Sequence, residues 1–183
     1  VCLNRPDALR DGSVGRPLPH ARVSLIDGEL CVDGARALGY LGGESLPDGP
    51  VRTGDLGRFD ADGYLSITGR IKEVIIRGGE NLSPKLIEDV LCQAPGVAAC
   101  CVVGQADTDL GEVPVAVIVP RQDGRAPDAQ ALQDTVRARL GRIYVPQAVY
   151  LSPGLPENTV GKVDRKAVAR WVAETAAPAA ASA

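Results

Sequence analysis

The stretch Gly69-Arg-Ile-Lys-Glu-Val-Ile-Ile-Arg-Gly-Gly-Glu-Asn-Leu-Ser-Pro84 constrains the fold more than any other part of the chain. A basic pair, Arg70 and Lys72, precedes a short β-branched run, a double glycine and a serine–proline step. Gly78-Gly79 marks a backbone turn that residues with a Cβ rarely adopt. Ser83-Pro84 reads as an N-cap followed by proline at the first helical position. A strand, a sharp turn and a helix start thus crowd into sixteen residues. Core packing alone explains such a stretch poorly. It predicts a place where the backbone reverses and comes close to another group.

The two sides of this stretch differ in character. Residues 1–68 read as short strands and turns: Ala21–Ile26 alternates, Asp27-Gly28 is a tight-turn signal, and Glu29–Val32 can return as a hairpin. Asp62-Gly63 precedes another short strand at Tyr64–Thr68. This half has little helical periodicity and few large apolar residues, so it is expected to complete a sheet supplied elsewhere. After Arg70 the pattern predicts a strand at Glu73–Arg77, then a helix with Leu86, Ile87, Val90 and Leu91 on one face, stopped by Pro95-Gly96. Strands at Val97–Val103 and Val113–Val119 follow. Leu132, Val136 and Leu140 recur at spacing four in a second helix ended by Gly141. A strand at Ala148–Leu151, the loop Ser152–Val163 and a helix capped by Asp164 and burying Val168, Trp171 and Val172 complete the reading. The fold class expected is α+β: a β-rich segment over 1–70, then a compact domain over 73–173 with a small sheet flanked by helices. The alanine-rich residues 174–183 are expected to be a disordered tail.

Charge and composition exclude several functions. A net charge of −3 without a Lys/Arg block argues against a nucleic-acid surface. His20 is the only histidine, so neither a histidine triad nor a multi-histidine metal site can be built, and no metal ligands are assigned. The five cysteines show no Cys-x-x-Cys spacing and read as buried, reduced thiols of a cytoplasmic protein. No apolar run approaches the ~18 residues of a membrane span, and the chain opens without a signal-peptide pattern. With no methionine anywhere, a chain cut from a longer protein is the expected origin.

Arginine outnumbers lysine sixteen to four, which draws attention to each lysine. Lys162 stands in Leu155-Pro-Glu-Asn-Thr-Val-Gly-Lys-Val-Asp-Arg-Lys166. The phosphate-loop pattern fails there, because Pro156 stands where its first glycine belongs and Val163 replaces the magnesium-binding Ser/Thr. A mobile loop lifting one ammonium from the surface remains. Such a charge suits a phosphoryl transition state or a carboxylate, though most exposed lysines are simply solvated. Asp55, in Val51-Arg-Thr-Gly-Asp-Leu-Gly57, reads as a residue of a glycine-flanked turn. Its carboxylate can accept from both hydroxyls of a ribose or merely close an Asx-turn. Arg70 can fork onto ribose or phosphate oxygens or form a surface salt bridge. Gly78-Gly79 can let a ligand pass close to the backbone or form a hairpin.

Taken in order, Gly12-Ser-Val-Gly-Arg-Pro-Leu-Pro19, Asp27-Gly-Glu-Leu-Cys-Val32, Gly39-Tyr40, Arg52-Thr-Gly-Asp55, Asp62-Gly-Tyr64, Gly69-Arg-Ile-Lys72, Gly78-Gly-Glu-Asn81 and Leu155-Pro…Gly161-Lys162 form a series. It resembles the carboxy-terminal third of the adenylate-forming (AMP-binding) superfamily, which includes acyl-CoA synthetases, nonribosomal adenylation domains and luciferases. The resemblance covers roughly residues 12–172. It implies that a carboxylic acid attacks the α-phosphate of Mg2+-ATP to give an acyl-adenylate, after which a thiol, usually coenzyme A, takes the acyl group. By the same resemblance Asp55 and Arg70 would bind the nucleotide ribose, and Lys162 would bridge carboxylate and phosphate oxygens during adenylation. Lys72 (with residues 71–72) matches the hinge, and Gly78 and Gly79 match the loop lining the pantetheine channel. Adenylation by positioned cations needs no histidine base.

The family's phosphate loop and acyl pocket precede every motif found here, so ATP, Mg2+, the carboxylic acid and coenzyme A are all expected to need an N-terminal domain. The chain alone is therefore expected to be inactive. Gly78-Gly-Glu-Asn-Leu-Ser-Pro84 resembles acyl- and aryl-CoA ligases, whereas nonribosomal modules usually carry Gly-x-Arg-Ile-Glu there. An adenylation module that loads a carrier protein and a non-catalytic stand-alone lid are the alternatives.

Overall fold

The computed structural model describes residues 1–34, 43, 48–122 and 126–176; the Gly39-Tyr40 motif lies outside them. Two compact units follow one another along the chain, Val1–Lys72 and Glu73–Ala183.

The first unit is built of strands. β1 (Cys2–Leu3) and β2 (Arg16–Pro17) pair antiparallel. β3 (Ala21–Ile26), β4 (Glu29–Gly34), β5 (Val51–Phe59) and β6 (Leu65–Arg70) form an antiparallel sheet in that order. The β3–β4 turn is the expected one: Asp27 and Gly28 have φ of 52° and 80°, and two positive φ values match the right-handed twist of a hairpin. Buried apolar side chains are few among the described residues here: Leu30, Cys31, Tyr64 and Leu65. The Tyr64 ring lies under the guanidinium groups of Arg10 and Arg16, at 4.4 and 4.6 Å, and its hydroxyl donates to the Ala8 carbonyl at 3.0 Å. One aromatic ring thus fastens the amino-terminal segment to the sheet.

The second unit is α+β, as expected. After a 3-10 turn at Ile71–Glu73 come β7 (Ile75–Arg77), β8 (Glu80–Leu82), α1 (Pro84–Leu91), β9 (Val97–Asp107), β10 (Gly111–Pro120), α2 (Ala129–Leu140), β11 (Ala148–Leu151) and α3 (Arg165–Ala176). β10 is central: antiparallel to β9, parallel to β11, and joined to β7 through the Gly111–Arg77 pair. Its run Val113–Ile118 is buried throughout because both faces are covered, and a strand covered on both faces loses its polar alternation. Ala116 and Ile118, with Val102 of β9, pack on Ile87 and Leu91 of α1 and Leu132 and Val136 of α2. Val115 and Val117, with Cys101 and Val103, pack on Val168 and Val172 of α3. Tyr150 meets Trp171 edge-to-face, centroids 5.8 Å apart.

The ends of α2 and α3 are closed locally, at Gly141 and Asp164 as expected and at Asp128 without having been expected. Asp128 accepts from the Ala131 amide at 2.9 Å, Gly141 closes α2 with φ of 96°, and Asp164 accepts from the amides of Lys166 and Ala167.

Four details differ from the sequence reading. The strand expected from Glu73 starts at Ile75, because the 3-10 turn takes Glu73. α1 ends at Leu91, before Pro95-Gly96. α3 continues to Ala176, into the segment expected as tail, since alanine is the strongest helix former. The thiols are not uniformly buried: Cys31 and Cys101 are, Cys2 and Cys100 are half-buried, and Cys92 is exposed. No helix among the described residues is long and apolar enough to cross a membrane.

Candidate functional site

Asp55 and Arg70 meet in the first unit. They are directly opposed on β5 and β6, and Arg70 Nε lies 2.8 Å from Asp55 Oδ1. Asp55 was expected in a turn, but it lies inside a nine-residue strand. Glycines that read as turn punctuation act here within the sheet: Gly54 has φ of 77°, and the β5–β6 register shifts between Leu56 and Gly57. Gly57 is tightly enclosed, since a Cβ would stand 3.1 Å from Leu65 Cδ1 and 3.2 Å from the Ser66 carbonyl oxygen and would push both aside by a few tenths of an ångström. Such irregularities re-aim side chains beside functional sites.

Glu29, which sequence reasoning passed over, holds this strand from behind. It is only 4% exposed. One carboxylate oxygen accepts from the Gly54 amide at 2.9 Å and the other faces Arg52 at 2.5 Å. Burial alone would push this carboxyl up, but the Gly54 amide and the Arg52 guanidinium outweigh it and hold it below its ordinary value. Its signal in the sequence is an acid at the head of an apolar strand directly after a tight turn. The lowered folded-state value means that the charged form stabilises the fold above the ordinary carboxylate range, about pH 4. That contribution is lost as pH falls through the folded value. Glu29→Gln is therefore expected to lower the melting temperature at pH 7 and to leave a shallower acid limb below pH ~4, read by circular dichroism. An unchanged acid limb would contradict the assignment.

Lys72 is exposed, sits in the 3-10 turn, and is the last residue of the first unit. Gly78 and Gly79 belong to the second unit, with φ of 57° and 86°, and join β7 to β8 through the Arg77–Glu80 pair. The hairpin reading of this double glycine therefore holds, with the two positive φ values such a turn needs. Gly78 is further tied by its amide to the Leu110 carbonyl at 2.8 Å, and no atom lies within 4 Å of a Cβ built on Gly79.

Lys162 also lies in the second unit, on a loop that is closed rather than merely loose. Glu157 and Val163 form an antiparallel bridge, and the Asn158 amide donates to the Lys162 carbonyl at 2.7 Å. The Asn158 side chain accepts from the amides of Val160 and Lys162, both at 3.0 Å. Gly161 completes the turn with φ of 75°. Asn158 is the organiser that sequence reasoning missed; an asparagine two residues before a reversal is the signal. The ammonium itself is exposed.

Arg165, three residues on, is a third omission. Its guanidinium reaches Glu73 at 3.0 Å, Glu88 at 2.7 Å and the Val102 carbonyl at 2.9 Å. Burial opposes its charge, but Glu88 outweighs that and holds the group more firmly protonated than usual.

The structure thus pairs Asp55 with Arg70, and places Lys162, Gly78 and Gly79 in the other unit with Lys72 at the division. Among the described residues no group of three or more acids, cysteines or histidines could hold a metal ion.

The comparisons with known proteins agree with one another. Residues 86–162 match the AMP-binding enzyme C-terminal domain. A medium/long-chain-fatty-acid–CoA ligase of Mycobacterium tuberculosis is 38% identical, the match covering 88% of this chain and 32% of the relative. An indoleacetate–CoA ligase of Aromatoleum aromaticum is 37% identical, covering 88% and 35%. Among solved structures, the amide bond synthetase McbA from Marinactinospora thermotolerans superimposes with a TM-score of 0.80 at 35% identity, covering 87% of this chain and 36% of that one. The chain spans about a third of the length of the curated relatives it matches.

Proposed function

Since the chain belongs to the adenylate-forming, AMP-binding enzyme family as its carboxy-terminal portion, we propose that it is the lid-bearing end of an acid–CoA ligase. The intact enzyme activates a carboxylic acid with ATP and passes the acyl group to coenzyme A. The Asp55–Arg70 pair carries this reading. A carboxylate and a guanidinium fixed on opposed strand positions offer an acceptor for two vicinal hydroxyls beside a donor for oxygen, which fits a ribose. Lys162 holds a cation on a turn shaped by Asn158 and supplies charge where negative charge gathers between carboxylate and α-phosphate. Lys72 is the hinge between the two half-reactions. Gly78 and Gly79 present bare backbone to the pantetheine arm, a use compatible with the open space beside Gly79.

ATP brings Mg2+ with its phosphates, and the metal polarises them; no residue of this chain is assigned to the ion. The acyl group is left open, because the named relatives take a fatty acid and indoleacetate. A carrier-protein thiol is a second acceptor to test, and an amine a third, since McbA forms amide bonds.

Purified alone with ATP, Mg2+ and a panel of carboxylic acids, the chain is expected to release no pyrophosphate. Grafted in place of the matching third of the indoleacetate–CoA ligase, it should restore ATP–pyrophosphate exchange and then thioester formation. Coenzyme A, a holo-carrier protein and an amine, offered in parallel, identify the acceptor. A folded graft that never exchanges pyrophosphate overturns the reading, and pyrophosphate release by the isolated chain overturns its dependence on an N-terminal domain.

A further inference from the structure

Cys92 follows the last residue of α1 and Cys100 lies near the start of β9, and their sulfurs stand 3.2 Å apart. The connection between them contains Pro95-Gly96 and brings the strand back under the helix end. Cys92 is exposed and Cys100 half-buried. The Cys100 sulfur also lies 3.6 Å from the Glu88 carbonyl, which helps fix it in place. The other three thiols are arranged differently: Cys31 and Cys101 are buried, and Cys2 lies in the first unit. Cys101 packs with α3 on the opposite face of the sheet from the core under α1.

We propose that Cys92 and Cys100 are a reversible dithiol–disulfide pair, oxidised by peroxide, that staples the carboxy-terminal end of α1 to β9. Bonding requires the sulfurs to close from 3.2 Å to about 2.05 Å. The geometry also assigns the roles. A hydrogen bond from the Cys100 thiol lowers Cys92 to about 7, against opposition from burial and from Glu88 and Asp89. The same bond, with burial, pushes the Cys100 thiol up. Because Cys92 is exposed to peroxide and Cys100 is half-buried behind it, Cys92 is the attacking thiolate and Cys100 the resolving thiol, in line with these directions.

The step balances. The Cys92 sulfur attacks one peroxide oxygen and the O–O bond breaks, leaving a sulfenic acid on Cys92 and hydroxide, which becomes water with the proton lost by Cys92. The Cys100 sulfur then attacks the Cys92 sulfur, the S–O bond breaks, and the departing hydroxide takes the Cys100 proton as a second water. Two thiols are oxidised by two electrons and one peroxide is reduced to two waters.

The test uses the full chain with hydrogen peroxide as the only oxidant. Titratable thiols should fall from five to three. Residues 86–121 form one tryptic peptide holding Cys92, Cys100 and Cys101, and it should lose two hydrogens, about 2 Da. Dithiothreitol should restore both readings. Cys101→Ala should behave as the parent chain does. Cys100→Ser should instead stop at a sulfenic acid on Cys92 that dimedone captures, and Cys92→Ser should form no disulfide in this peptide. Over-oxidation of Cys92 without a disulfide, a covalent dimer in its place, or loss of the disulfide in Cys101→Ala would each overturn the proposal. The readout is independent of any ligase activity, so its failure leaves the functional reading untouched.

Discussion

Lys162→Ala, carried in the full-length graft, is expected to lower adenylation by roughly 10²-fold or more, the usual loss when one preorganised charge partner of a transition state is removed. That corresponds to about 2.7 kcal/mol of barrier. The substitution is unusually clean. The bonds that Lys162 makes within its turn come from its backbone, with the amide donating to Asn158 Oδ1 and the carbonyl accepting from the Asn158 amide. Alanine keeps both, and the side chain is exposed, so the fold should not respond. Asn158→Ala makes the complementary change: it keeps the ammonium and removes the side-chain oxygen that fixes the turn. It should therefore lower adenylation by a smaller factor through misplacement alone. Thioester formation from supplied acyl-adenylate should change little in Lys162→Ala, because that step no longer needs a cation on the phosphate. Pyrophosphate exchange and single-turnover thioester formation, measured side by side, separate the two steps. Equal losses in both would refute the division of labour.

What could be read in advance differs between the two units for a physical reason. In the second unit the apolar periodicities belong to elements that pack within it, so Leu132 and Val136 mark α2, and Val168 and Val172 mark α3, without outside help. Gly141 and Asp164 close those helices through local chemistry that the sequence displays; Asp128, which caps α2, was passed over. In the first unit β5 was hidden. Its Thr-Gly-Asp-Leu-Gly core has the composition of a turn, and what makes it a strand is pairing with β4 and β6, a non-local cause. Asp55 was expected in a turn and lies in a strand for that reason. Arg165 and Glu29 were missed because their partners lie far off in sequence. Glu29 meets Gly54, and Arg165 meets Glu73 and Glu88. A charged residue at a helix start or strand head carries no mark of where its partner will come from. Asn158 was legible in principle, since its bonds are local.

Arg165→Met is expected to cost the second unit about 2–3 kcal/mol, somewhat less than the roughly 3–5 kcal/mol typical of breaking a fully buried ion pair, because the side chain is 29% exposed. Methionine fills similar space with an unbranched apolar chain, so the loss reports the charge and its bonds. Three elements lose a common tie. Glu88 of α1 keeps only the Val102 amide at 2.8 Å, the Val102 carbonyl of β9 loses its donor, and Glu73 loses its partner. Glu73 is 35% exposed and can return to water, whereas Glu88 at 15% cannot do so freely, so most of the cost falls on Glu88. It follows that Arg165→Met together with Glu88→Gln should be less destabilised than the two single changes summed, because the stranded charge is gone. Arg165→Lys should recover only part of the loss, since one ammonium cannot fork onto Glu73, Glu88 and the carbonyl together. Urea unfolding of the four variants reads each value. A single-mutant loss below about 0.5 kcal/mol, the level of an ordinary exposed pair, would show the network to be ornamental. A larger loss would have consequences beyond stability. Arg165 opens the helix after the Lys162 turn, and Glu73 follows the proposed hinge at Lys72. The same guanidinium then ties the end of the Lys162 loop to the residue after the proposed hinge, and, if the proposed roles hold, a graft carrying Arg165→Met should lose adenylation even at temperatures where it stays folded.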